Sequence, residues 1–203
     1  MQKILNEIAE LCSSATTEPT KTGLPRVLMI QGEVPTHQLA AVYEPLIGLV
    51  VQGGKTISIG TQVVHLEGPS YFVIPTEMPA TGYVRQAANG RPYLSVALQL
   101  DQKVLLDLLK DTPNTVDGKN NHNEFSSCPA TAPFLEVWLR MLRLMKTPEH
   151  IAALAPLYRK RNFISCVDWA GGMASSAIIS FPSKRIEYSP SYPMGQAKFY
   201  KYF

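Results

Sequence analysis

The sequence predicts an α+β protein, in which an antiparallel β-barrel or sandwich is followed by an appended helical region. Between residues 24 and 100, short runs of β-branched and aromatic residues alternate with turn signals, as in strands joined by tight turns. The density of Gly and Pro in this region is too high for helices. Apolar residues recur at helical spacing only before and after it, in residues 2–12 and 134–160.

The first 23 residues are predicted to form a short amphipathic helix and an arm. The apolar residues at helical spacing are Ile4, Leu5, Ile8 and Leu11. Charged residues interrupt this run, which excludes the apolar stretch of a secretory signal peptide. The polar segment SSATTEPTKTG then follows as a linker.

Residues 24–111 are predicted to form the barrel together with one capping helix. The strand candidates include PLIGLVVQ, TISIG, TQVVHL, YFVIP and YLSVALQL. Gly53-Gly54 and Gly60 provide the backbone conformations that hairpin turns require. Asp101 is a good N-cap for the helix VLLDLLKD, which ends near Pro113.

Residues 112–133 are polar and rich in Pro and Asn, so we expect a mobile loop before the helical region of residues 134–161. The first helix there has one apolar stripe, formed by Leu135, Trp138, Leu139, Leu142 and Met145. Two interpretations remain open: the stripe packs on its own domain, or it is a solvent-facing seam for a partner helix. We predict a homodimer with Leu135, Trp138, Leu142 and Met145 of this stripe in its interface, since aromatic anchors tend to dominate interfaces.

The composition predicts a cytoplasmic protein. Its net charge of +3 gives no sign of the concentrated basic face that nucleic-acid binding usually needs. The three cysteines include no CxxC pair, which favours reduced thiols over a disulfide framework. No segment approaches the ~20 apolar residues of a membrane span, so no membrane partner is expected.

The sequence lacks the usual signatures of an enzyme. Its four histidines form no HxH pair, and only His65 falls within a predicted strand. No nucleophile elbow, phosphate-binding loop or dinucleotide fingerprint occurs. We therefore predict no catalytic residues, no metal and no cofactor. A small barrel enzyme with a metal would be the competing class.

A binding module fits these residues better, with a small-molecule effector in the barrel interior. Such pockets are largely apolar and carry a few convergent polar groups. The polar or amphipathic strand residues best placed to provide them are Tyr43, Gln52, His65 and Tyr71. We predict these four as ligand-binding residues.

Several stretches carry a family resemblance. In chain order they are Tyr43-Glu44-Pro45, Gln52-Gly53 with Lys55 and Gly60, Arg91-Pro92-Tyr93-Leu94, Leu98 to Asp101, and Ala155-Pro156-Leu157-Tyr158-Arg159. Together, over residues 24–161, they resemble the N-terminal, effector-binding domain of AraC-type transcriptional regulators. The resemblance implies a cupin-like sensory barrel, a dimerising helical linker, and a C-terminal pair of helix-turn-helix units that contacts DNA.

The segment 162–203 departs from that pattern, since it does not resemble a helix-turn-helix. A frameshift near Lys160 would explain the departure, because a shifted frame allows family-like helices to continue. We therefore expect a truncated regulator, with sensing and dimerisation regions, that contacts DNA only through the missing C-terminal domain. The alternatives are a small cupin-type enzyme and an inert product of a decayed regulator gene.

Overall fold

The computed structural model of the protein describes residues 1–32, 39–74, 76–100 and 126–169. Three predictions from the sequence lie outside these residues: the capping helix after Asp101, most of the loop at 112–133, and the segment beyond Trp169.

Within the described residues, the strands lie between one N-terminal helix and a C-terminal helical region. The helices are α1 (Gln2–Leu11), α2 (Ala132–Arg143) and α3 (Ile151–Trp169). The strands are β1 (Thr20–Lys21), β2 (Val27–Gly32), β3 (Leu39–Tyr43), β4 (Leu46–Gln52), β5 (Gly54–Ile59), β6 (Gln62–Glu67), β7 (Ser70–Ile74), β8 (Met78–Arg85), β9 (Tyr93–Gln99) and β10 (Ser126–Pro129). Two 3-10 turns, Leu144–Lys146 and Pro148–His150, join α2 to α3.

The strands form two antiparallel sheets. The larger sheet has the order β1-β2-β9-β4-β7-β10, and the smaller one has the order β3-β8-β5-β6. The hairpin of β5 and β6 turns at Gly60, whose φ of +56° is a conformation that glycine adopts readily. The predicted α+β class, with an antiparallel β-sandwich and appended helices, is confirmed.

One face of the larger sheet packs against the helices. On β4, side chains alternate between the two faces of the sheet, as in any strand, so that Ile47, Leu49 and Val51 contact this helical layer. The buried members of this core from the helices include Ile8, Leu11, Phe134, Leu135, Trp138, Leu139, Met141, Leu142 and Phe163. We call this cluster the helix-side core.

The other face of the larger sheet packs against the smaller sheet. This second cluster, which we call the sandwich interior, contains Tyr43, Leu46, Val50, Ile57, Ile59, Leu66, Phe72, Ile74, Met78, Ala80, Tyr93 and Ala97. Residues of β4 therefore serve two different cores, because Leu46 and Val50 point opposite to Ile47 and Leu49.

Two boundaries differ from those predicted. The expected loop at 112–133 ends earlier, because Ser126–Pro129 forms β10 and pairs with β7. This strand has only four residues, too few to show a period of 2 in the sequence. The expected boundary at residue 161 lies inside α3, which continues to Trp169 and buries Asn162 and Phe163.

The α2 stripe lies within the chain's own core. Leu135, Trp138 and Leu142 are 0% exposed, and Met145 packs against the same cluster. The interpretation of this stripe as a solvent-facing seam is therefore wrong, since α1, α3 and the larger sheet cover it. No helix of the described part is long and apolar enough to cross a membrane.

Candidate functional site

A lysine lies in the sandwich interior. The Lys55 side chain is only 9% exposed, and its Nζ lies 5.1 Å from the ring centroid of Tyr43 and 5.3 Å from that of Phe72. Both distances are within the range of a cation–π interaction. Transfer of a charge from water into an apolar core is costly, so this placement requires compensating contacts.

The strand β5 determines why Lys55 points inward. Alternate residues of a strand share a face, and Ile57 and Ile59 belong to the sandwich interior. Lys55 precedes them on the same face and pairs with Leu66 of β6, another interior residue. The pattern Lys-x-Ile-x-Ile was the signal in the sequence, and our sequence-based site residues missed it.

Tyr93 provides a second polar group in the same interior. It is 1% exposed, and its hydroxyl has no hydrogen-bond partner among the described residues. Burial raises the pKa of Tyr93 above its ordinary value. The charge of Lys55 and, more weakly, Ser95 oppose this effect, although the Ser95 hydroxyl does not reach hydrogen-bond geometry. The phenol is therefore neutral at physiological pH and able to donate a hydrogen bond.

Phe72 forms one wall of this cluster by lying directly over Gly48. A Cβ atom at position 48 would overlap the Phe72 ring, and the two residues are opposite each other on β4 and β7. Glycine at this position therefore leaves room for the Phe72 ring beside the lysine. We call Tyr43, Lys55, Phe72, Tyr93 and Ser95 the interior cluster.

A different polar network covers the outer face of the smaller sheet. Thr56 Oγ1 lies 3.0 Å from His65 Nδ1 and accepts a hydrogen bond of 3.1 Å from Arg85 Nη1. Arg85 also forms an ion pair with Glu67. His65 and Glu67 share this face, as expected, but it is the outer face. The expectation that His65 points into the interior is therefore wrong, because its neighbour Leu66 occupies the inward position.

The other predicted ligand-binding residues fall in three different places. Tyr43 belongs to the interior cluster. Gln52 lies beside an irregularity between β4 and β9, and its Nε2 donates a hydrogen bond of 2.8 Å to the carbonyl oxygen of Pro92. Tyr71 faces the helix-side core and stacks on Phe134, with ring centroids 4.3 Å apart. The structure thus brings only Tyr43 of the four to the cluster.

The family of the chain follows from its sequence. Residues 23–161, more than half of the chain, match the sequence model of the AraC-type transcriptional regulator N-terminus. The chain belongs to this family. The resemblance inferred from the short motifs is confirmed over nearly the same residues. A comparison with the sequences of curated proteins finds no match.

A comparison with solved structures finds matches of low sequence identity. A crystal structure of apo ToxT from Vibrio cholerae has a TM-score of 0.54 at 8% identity, covering 82% of this chain and 62% of that one. The AraC-like transcriptional activator CuxR has a TM-score of 0.44 at 14% identity, covering 74% and 54%. A cupin-2 domain protein from Shewanella frigidimarina has a TM-score of 0.28 at 13% identity, covering 37% and 69%. The chain therefore spans less than two thirds of the ToxT chain.

Metal binding was the main feature of the competing class, a cupin-type enzyme. Among the described residues of this AraC-type domain, no three His, Cys, Asp or Glu side chains lie together as a metal site would require. His65 has its Nδ1 beside the hydroxyl of Thr56.

Proposed function

We propose that this chain is the sensory domain of an AraC-type transcriptional regulator and binds a small-molecule effector between its two sheets. The observation that carries the proposal is the interior cluster, in which a lysine and a tyrosine hydroxyl are buried among apolar side chains. Ligand sites are typically apolar cavities with a few convergent polar groups. Membership of the regulator family supports a sensory role for such a cluster.

We use the helix-side core as the reference for a core that only stabilises the fold, and compare the sandwich interior with it. That core consists mainly of aliphatic and aromatic side chains, and the polar residue buried against it, Asn162, carries no charge. A charged group in an apolar core usually destabilises a protein relative to a well-packed apolar residue. The presence of a buried lysine, Lys55, beside Tyr93 therefore favours a functional role for the sandwich interior.

The first experiment measures thermal shifts of the chain with a panel of small metabolites. We expect at least one compound to raise the melting temperature, and we expect Tyr93→Phe to reduce that shift. The matched control is Val63→Ala, an exposed residue on the outer face of β6. His65→Ala tests the sequence-based assignment: loss of binding there, with Tyr93→Phe unaffected, would place the site on the outer face and contradict the proposal.

We also propose that the protein forms a homodimer, through α3 instead of the buried α2 stripe. Leu157 is 63% exposed and Ile164 is 39% exposed, and the two lie seven residues apart on one side of α3. A spacing of seven residues is typical of paired helices. In sedimentation, Leu157→Glu should convert a dimer to a monomer, whereas Glu149→Gln should not. A wild-type protein that stays monomeric at high concentration would refute this proposal.

DNA contact is proposed to need a further region beyond the described residues. A recognition helix must present side chains to base edges in the major groove. The apolar sides of α1 and α2 are used by the helix-side core. We expect the 203-residue chain to show no specific shift of promoter DNA at moderate salt. Specific retention that resists competitor DNA would contradict this expectation.

A further inference from the structure

We infer that the effector carries a carboxylate, which Lys55 and Tyr93 bind inside the sandwich. This inference rests on the proposed function and specifies the chemical class of the ligand. The interior cluster combines one positive charge with a neutral phenol whose hydroxyl has no hydrogen-bond partner among the described residues. The charge and the hydrogen-bond donors of these two groups indicate which class of ligand binds there.

The cluster offers hydrogen-bond donors more than acceptors. A lysine ammonium has three donors and no acceptor, and Tyr93 keeps its proton because burial raises its pKa. Ser95, buried beside it on β9, adds a hydroxyl that can rotate to donate. A ligand group that complements them needs acceptor lone pairs and a negative charge, so a cationic ligand is disfavoured.

The walls of the cluster indicate the rest of the ligand. Lys55 Nζ lies over the faces of Tyr43 and Phe72, and most of the other hydrophobic residues of the sandwich interior are aliphatic. A carboxylate would exchange these cation–π contacts for charge-assisted hydrogen bonds, which are stronger. The flexible stem of lysine allows this movement. The ligand body next to these walls is then an apolar chain or ring.

A carboxylate fits better than a phosphate. Phosphate sites in proteins usually combine several cations or a row of backbone N–H groups at a helix N-terminus. The interior cluster has one lysine and lies on strands, between two sheets. One ammonium and two hydroxyl groups match the charge and the acceptor atoms of a single carboxylate.

The test compares acids with their neutral analogues by isothermal titration of the full chain. The probes are hexanoate and benzoate, hexanamide and benzamide, and phenyl phosphate. We expect at least one acid to bind about tenfold or more tightly than its amide, since hydrogen bonds to charged groups are the stronger ones. Lys55→Met should remove this preference, whereas the exposed Lys146→Met should retain it. Failure of both acids to bind, equal binding of the amides, or tighter binding of phenyl phosphate would each overturn the inference.

The melting temperature of the free protein separates a binding role from a structural one. We expect Lys55→Met to melt at the same or a higher temperature, because an apolar side chain of similar volume often replaces a buried charge favourably. A marked fall in melting temperature would identify Lys55 as a structural residue and overturn the inference. Tyr93→Phe provides a second variant, which should fold normally and bind the acid more weakly.

The two proposals fail in different ways. If a neutral compound from the metabolite panel binds, and Tyr93→Phe weakens it while Lys55→Met does not, the sensory site stands and the carboxylate inference is overturned. If no compound responds to changes in the interior cluster, the sensory site itself is refuted.

Discussion

The two faces of the larger sheet are built from the same strands but from different kinds of residue. On β4, the face toward the helices carries Ile47, Leu49 and Val51, while the face toward the smaller sheet includes Gly48. On β9, the helix-side residues Leu94 and Val96 alternate with Tyr93, Ser95 and Ala97. The helix-side face is thus mostly large and apolar, although it includes Tyr71, whereas the other face mixes small, polar, aliphatic and aromatic residues.

This difference shows that burial alone does not distinguish a core that stabilises the fold from one that binds a ligand. Both faces are buried, but the helix-side core is filled by side chains without charge, and the sandwich interior contains Lys55. The helix-side core is the arrangement expected where packing decides stability. The sandwich interior is the arrangement expected where a ligand is bound. Each prediction below tests whether the two faces differ in this way.

The largest effect is expected at Trp138, the largest fully buried side chain on the helix side. Trp138→Ala should lower the free energy of unfolding by about 3–5 kcal/mol, because it removes buried apolar area and leaves a cavity. Urea unfolding followed by circular dichroism measures the change. Val63→Ala, at an exposed position on β6, should cost about 0.5 kcal/mol or less. A small loss for Trp138→Ala would break the comparison, since the helix side would then not be the main source of stability.

The same burial changes the meaning of a variant suggested by the sequence alone. If Trp138 were on a dimer seam, Trp138→Glu would split a dimer into folded monomers. Because the side chain lies in the chain's own core, we expect Trp138→Glu to unfold the protein instead, through an unpaired buried charge. Sedimentation together with circular dichroism distinguishes the two results.

An intermediate effect is expected at Gly48, in the sandwich interior. Gly48→Ala should cost about 1–3 kcal/mol, because the new methyl group overlaps the Phe72 ring and forces it to move. A double variant with Phe72→Leu should recover part of this loss, as contacting residues are not additive. The movement of Phe72 should also weaken ligand binding next to Lys55. Additive losses in urea unfolding would show that the ring does not press on position 48.

The sequence predicted the architecture well because strand runs and turn glycines are local signals. The inner face of β6 was harder to predict, since Val63 and Val64 are adjacent and either could be the buried one. The structure exposes Val63 and half-buries Val64, which places His65 outside and Leu66 inside. The sequence also could not predict what the α2 stripe packs against, because an apolar stripe does not identify the surface that covers it.

A smaller effect, confined to alkaline pH, tests how well the helix side excludes water. Burial raises the pKa of Cys12 from 9.0 to about 12. The unfolded chain loses this proton first, so stability is complete below about pH 9 and falls as the pH rises toward 12. Relative to wild type, Cys12→Ala should therefore lose less stability between pH 9 and 11. An unchanged difference between the two proteins across this range would contradict a dry core at this position.

Thiol labelling tests the same point at neutral pH. Cys12 is fully buried, whereas Cys128 on β10 is half-buried. Since the thiolate is the reactive form, a water-soluble disulfide reagent should modify Cys128 much faster than Cys12. Peptide mass mapping gives the two rates separately, and equal rates would show that α1 opens easily.

The smallest effect is expected where charges, rather than apolar groups, join the helices. Arg143 on α2 donates two hydrogen bonds to Glu7 on α1, of 2.7 Å from Nε and 2.8 Å from Nη2. These bonds lower the pKa of Glu7, so the pair stabilises the fold above pH 4.5 and this contribution is lost as the pH falls. Because the pair lies at the surface, solvent and salt screen it.

Glu7→Gln should lower the melting temperature slightly at low salt and not at all in 1 M salt, which makes the Debye length about 3 Å. Glu10→Gln, an exposed change on the same helix, is the matched control. A large loss at Glu7 that persists in high salt would mean that the ion pair, and not the apolar core beneath it, holds α1 in place.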